Sequence, residues 1–285
     1  MSRTPAWPPA PEPLPVPVAD NHCHLDMVAD IGEAYDGVVG LSVDEALARA
    51  AAVGVTRIVQ IGCDLPSARW SVQTASSYPS ILAGVAIHPN EAPRLHARGE
   101  LDAALAEIEV LSRHPRVRVV GETGLDHFRT DADGWAVQEA AFRAHIDIAK
   151  RTGRALQIHD RDAHEDVLRV LESEGAPDTV IFHCFSGDAD MARRAVEAGY
   201  LLSFAGTVTF KNAGGLREAL KVTPLEHLLV ETDAPFLAPA PHRGQPNASY
   251  LIPRTLAVMA QVLDVDLASL CTAIDATTER VFGPF

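Results

Sequence analysis

The sequence predicts an α/β protein of the (β/α)8 TIM-barrel class, folded as a single domain. Three observations carry this. The chain has 285 residues and 47% hydrophobic composition, which suits one large core without staples. Eight short apolar runs rich in Val and Ile each precede a longer stretch of helical periodicity. The first run ends in Asn21-His22-Cys23-His24, where an open doubly wound sheet would want a Gly-rich phosphate loop.

The elements follow in order. Residues 1–17 form a Pro-rich arm, disordered or extended, with seven prolines between positions 5 and 17. It reads as an inert extension, and the barrel domain occupies residues 18–285. The expected strands are Val16–His22, Thr56–Ile61, Ile81–Ile87, Val117–Glu122, Ala155–His159, Thr179–His183, Tyr200–Ala205 and His227–Asp233. Ser42-Val43-Asp44-Glu45 is a capping-box pattern that opens an Ala-rich helix, and Gly54 closes it. Val137, Ala141, Ala144 and Ile148 mark one face of a helix ending at Gly153. Gly175 and Gly199 stand where the next two crossover helices should end. No repeat or linker suggests a second domain.

The formal net charge is −14, which excludes a surface that grips nucleic acid by a broad basic face. Any such substrate should meet the site through few phosphates. The four cysteines form no CxxC pair, no apolar run spans a membrane, and no signal-peptide pattern opens the chain. A reduced, soluble, cytoplasmic protein with no membrane contact and no obligate protein partner is expected.

The chemistry gathers at strand ends. His22 and His24 are two apart on one strand, so both point to one face while Cys23 points to the helices. Glu122, His159, His183 and Asp233 end four further apolar strands. A single such residue is usually a satisfied core histidine or a helix cap. Together they converge on the rim where barrel enzymes keep their catalytic groups. Four imidazoles and two carboxylates without a thiolate suit a divalent cation such as Mg, Mn or Zn. Six side chains exceed one catalytic zinc and fit two ions sharing a carboxylate. Cys23 and Cys184 are expected as small buried hydrophobes facing the helix layer. His96, His114, His145, His164 and His227 fall in helices or loops and read as solvated or structural.

Beyond these residues, whole motifs agree with a known family. Asp20-Asn-His22-Cys-His24-Leu-Asp26, Gly84-Val-Ala-Ile-His88-Pro89, Gly121-Glu122-Thr-Gly124-Leu-Asp126 and Ile158-His159-Asp-Arg161-Asp162-Ala163 resemble motifs of TatD-family deoxyribonucleases. So do Phe182-His183-Cys-Phe-Ser186-Gly187, Gly206-Thr-Val-Thr-Phe-Lys211-Asn212, Glu231-Thr-Asp233-Ala-Pro235 and Pro241-His-Arg243-Gly244. The resemblance runs over about residues 18–283, in register. It implies a metal-dependent nuclease that hydrolyses DNA phosphodiesters, often from a 3′ end. By the same resemblance His22, His24 and Asp233 would hold one ion, His159 and His183 the other. Glu122 would bridge them, and Asp233 would orient or deprotonate the attacking water. His88, Arg161 and Lys211 could then contact phosphate oxygens, with Arg243 lining the mouth.

The chain departs from the family pattern at His127-Phe128, at Gln157 where Pro is frequent, and in the loop after Arg243. None of these is expected to touch a ligand. Among other barrel hydrolases, a phosphotriesterase-like or lactonase enzyme would bridge its metals with a carboxylated lysine. The only lysines here, Lys150, Lys211 and Lys221, end no expected strand. A deaminase-type barrel would use one metal. An aminoacyl-tRNA deacylase stays open, since the same activated water attacks a carbonyl. A catalytically silent metal-binding protein is disfavoured by the complete ligand set.

Overall fold

The computed structural model describes residues 6–285. Eight parallel strands follow one another around a barrel in chain order, β1 to β8. They are β1 (Val18–Cys23), β2 (Val55–Gly62), β3 (Ile81–Val85), β4 (Val117–Asp126), β5 (Ala155–Arg161), β6 (Val180–Phe182), β7 (Leu201–Phe204) and β8 (Leu228–Val230). The ring closes through a bridge between Cys23 and Ala234, flanked by Asp233 N–H donating to His22 O at 3.0 Å and His24 N–H donating to Ala234 O at 2.9 Å.

Strand alternation separates two cores. Val59, Ile61, Leu82, Val119, Ile181 and Leu229 pack together inside the barrel with Phe282 of the last helix. Their neighbours, such as Ile58, Ala83, Val120, Phe182, Leu228 and Val230, face the helices. Both faces of each strand are thus buried, as a parallel sheet requires. The expected helix signals hold. Ser42 and Glu45 form the reciprocal capping box, Gly153 is the left-handed cap of Trp135–Thr152, and Gly175 caps His164–Glu174.

The strand bounds shift from expectation by up to four residues, and three of the shifts bear on the site. β4 runs on to Asp126, pairing Gly124 with His159 and Asp126 with Arg161 after a register shift beyond Val120. The glycine makes this possible. Gly124 has φ +141°, and a Cβ there would stand 2.0 Å from His159 O. β6 and β8 are shorter, because side-chain acceptors take over from the ladder. Cys184 N–H donates to Glu231 Oε1 at 2.9 Å, and Thr232 N–H donates to Asp20 Oδ1 at 3.0 Å.

Part of the Pro-rich arm, residues 1–5, lies outside the described residues. The rest carries no helix or strand but is seated on the barrel. Trp7 Nε1 donates to Val39 O at 2.9 Å, Tyr250 Oη donates to Pro8 O at 2.6 Å, and Leu14 is buried against the core. Among the described residues no single helix is long and apolar enough to cross a membrane. The last two helices reach that length only as a pair bent by 109°.

Candidate metal centre

The strand ends bring His22, His24, Glu122, His159, His183 and Asp233 into one cluster at the carboxyl mouth of the barrel. Glu122 lies at its middle. Its Oε1 is 2.6 Å from His159 Nδ1 and 2.8 Å from His183 Nε2. Its Oε2 faces the other pair, 3.6 Å from His22 Nε2 and 3.9 Å from His24 Nε2. Asp233 Oδ1 completes that side at 3.7 and 3.4 Å from the same two nitrogens.

Hydrogen bonds behind the cluster assign the imidazole tautomers. Gln157 Nε2 donates to Asn21 Oδ1 at 2.9 Å, which turns Gln157 Oε1 toward His22 Nδ1, also at 2.9 Å. An amide oxygen only accepts, so His22 carries its proton on Nδ1 and offers a lone pair from Nε2. Ile61 O does the same for His24 Nδ1 at 3.0 Å, and Glu231 Oε1 for His183 Nδ1 at 3.1 Å. His159 is reversed: Asp126 Oδ2 accepts from Nε2 at 3.1 Å, leaving Nδ1 aimed at Glu122. Four lone pairs therefore point inward. His22 Nε2 and His24 Nε2 stand only 3.3 Å apart. A divalent cation between them and the carboxylates satisfies this donor set, so the residues fit a metal centre.

His88 is wired in the opposite sense. Asn90 N–H donates to His88 Nδ1 at 3.0 Å, so the neutral ring keeps its proton on Nε2, 3.4 Å from Glu122 Oε1. It presents an N–H to the site where the other four present lone pairs.

The cluster draws positive charge. Burial would push Glu122 up, but the charges of His183 and His88 and bonds from His159 and His183 hold it well below the usual carboxylate range. Asp233 is likewise lowered against burial by His24, His183 and His22. Burial would lower His24, His159 and His183, yet the acids and thiol around them raise all three. His22 stays lowered by burial and by His183.

The substrate-contact candidates are less gathered. The Arg161 guanidinium lies over the Phe128 ring, 4.0 Å from its centroid, and Arg243 over Phe210 at 4.8 Å. Lys211 is exposed on the loop after β7. The structure corrects two expectations. Gln157 does touch a ligand, since it orients His22. Cys184 lies beyond the end of β6 at φ +42°, so strand alternation does not place it, and it is half-buried.

Sequence reasoning missed the supporting layer of Asp126, Gln157 and Glu231, and it missed Cys63. Cys63 Sγ is 3.6 Å from Glu122 Oε2 and 3.8 Å from His24 Nδ1. The available signal was a polar residue within or just beyond an apolar strand.

Comparison with known proteins gives the family. The family profile described as TatD related DNase matches residues 19–283. The uncharacterized metal-dependent hydrolase TatD of Mycobacterium tuberculosis is 47% identical over 93% of this chain and 98% of its own length. The uncharacterized metal-dependent hydrolase YabD of Bacillus subtilis is 35% identical over 92% and 98%. The crystal structure of YJJV, a TatD homolog from Escherichia coli K12, superposes with a TM-score of 0.82 at 27% identity, covering 93% of this chain and 97% of that one. A phosphotriesterase homology protein of Escherichia coli shares the fold alone, with a TM-score of 0.62 at 15% identity. The chain is a metal-dependent hydrolase and belongs to the TatD related DNase family.

Proposed function

We propose that the chain is a deoxyribonuclease that uses two divalent ions to shorten single-stranded DNA from its 3′ end. The observation that carries this reading is the division of Glu122, one oxygen to His159 and His183, the other toward His22 and His24. One carboxylate so placed would serve two cations, an arrangement that suits in-line displacement at phosphorus. His22, His24 and Asp233 would hold one ion, and His159 with His183 the other. The ions would neutralise phosphate charge and acidify water.

The protein groups supply the rest. Asp233 has the most open of the cluster's carboxylates, with its side chain 16% exposed against 5% for Glu122. It faces the mouth and accepts the proton of the attacking water. His88 Nε2–H donates to a phosphate oxygen or to Glu122, and Arg161 binds phosphate beyond it. Lys211 and Arg243 on the outer loops take a lesser part.

The test uses end-labelled single-stranded DNA with Mg2+, Mn2+ or Zn2+, and metal analysis of the loaded protein. We expect 3′ shortening that chelator stops, and two ions per chain. Hydrolysis of aminoacyl esters or lactones with no DNA cleavage under any of these metals would overturn the nuclease reading.

A further inference from the structure

Large apolar side chains are mostly buried in this protein, but aromatic rings stay exposed beside the metal centre. Phe128 is 62% exposed and Phe236 is 44% exposed. Each is tied to one half of the donor cluster. Phe128 N–H donates to Asp126 Oδ1 at 3.0 Å, and the same carboxylate holds His159. Phe236 N–H donates to Asp233 O at 2.9 Å, and its ring lies 6.4 Å from that of His24. Arg161, two residues after His159, covers one face of Phe128.

Charge says what these rings are for. A chain of net charge −14 repels a polyanion at long range, so retention must come from short contacts. Base–aromatic stacking is such a contact. It tolerates any sequence, and a guanidinium on the ring adds to it. It also needs unpaired bases, because a duplex hides their faces. A small ester offers no second flat group to occupy two rings.

We infer that Phe236 and the Phe128–Arg161 pair are stacking platforms for the unpaired bases on either side of the phosphodiester at the metal centre. They select single-stranded ends. The inference rests on the nuclease reading and names the part of the substrate that the site grips.

The test uses the Mg2+-loaded protein and a short phosphorothioate single strand carrying 2-aminopurine at its 3′ end. Stacking should quench the probe on binding. Phe128→Ala and Phe236→Ala should each weaken binding about tenfold, and the one whose ring holds the 3′ base should lose the quenching. Phe→Tyr at either position should restore both. Because the two rings are exposed, the variants should keep the metal content and melting temperature of the parent. A strand with abasic sites in place of the terminal bases should bind the parent as weakly as the normal strand binds the double alanine variant. If the double variant binds and quenches like the parent, which still cuts unmodified DNA, stacking is wrong and the nuclease reading stands. If the parent neither binds nor cuts DNA, the nuclease reading falls and takes this inference with it.

Discussion

At the residue scale, the support behind each imidazole decides what it can do. Gln157 is fully buried, and Asn21 fixes which end of its amide meets His22. Gln157→Leu removes that acceptor and frees the His22 ring to rotate or exchange tautomer. The expected loss in metal affinity is about 10- to 100-fold, read by titration calorimetry. Gln157→Glu, which still accepts, should lose far less. Unchanged affinity in the leucine variant would remove this role. The six candidate ligands were legible in the sequence because His, Asp or Glu at the end of an apolar strand is conspicuous. Their supports were not. A buried Gln157 or Asp126 acquires meaning only from the partner that the fold brings from another strand. His88 shows the same limit: its residue type suits a ligand, and only the Asn90 amide makes it a donor.

At the scale of elements, the crossover helices were readable from capping residues and glycines, because those signals are local. Strand ends were not. β4 continues past Glu122 because Gly124 lets β5 approach. β8 stops at Val230 and β6 at Phe182 because Asp20 and Glu231 offer carboxylate acceptors to Thr232 and Cys184 in place of strand carbonyls. A tie between a helix and the segment after β3 gives a test by pH. His145 on the helix Trp135–Thr152 accepts from Ile87 N–H at 3.1 Å through Nε2, and its Nδ1 meets Ala141 O at 2.7 Å. Burial lowers its pKa from 6.5 to about 4. The unfolded chain binds that proton near pH 6.5 and the folded chain only near 4. Its contribution is complete above pH 6.5 and falls away as the pH drops toward 4, by about 3 kcal/mol in all. Denaturant unfolding with chelator present, between pH 7.5 and 4.5, should show a shallower pH slope for His145→Gln than for the parent. Equal slopes would count against it.

At the scale of the molecule, a single ring carries both stability and site. The seam between β1 and the segment after β8 holds few backbone bonds, and His22, His24 and Asp233 lie on it. An ion held by those three side chains would bind only the closed ring, so at hundredfold excess over its Kd it would add about 2.7 kcal/mol. Hydrogen exchange should show the amides of His24 and Asp233 opening faster in chelator than in Mn2+. Equal exchange would separate closure from ligation.

That seam has a consequence outside catalysis. A ring opened at one place becomes a ribbon with two bare margins, each offering unpaired amides and carbonyls to the next chain. Should chelator open the seam, light scattering would rise with the opening, and dilution or a resupplied ion, rather than refolding from denaturant, would reverse it.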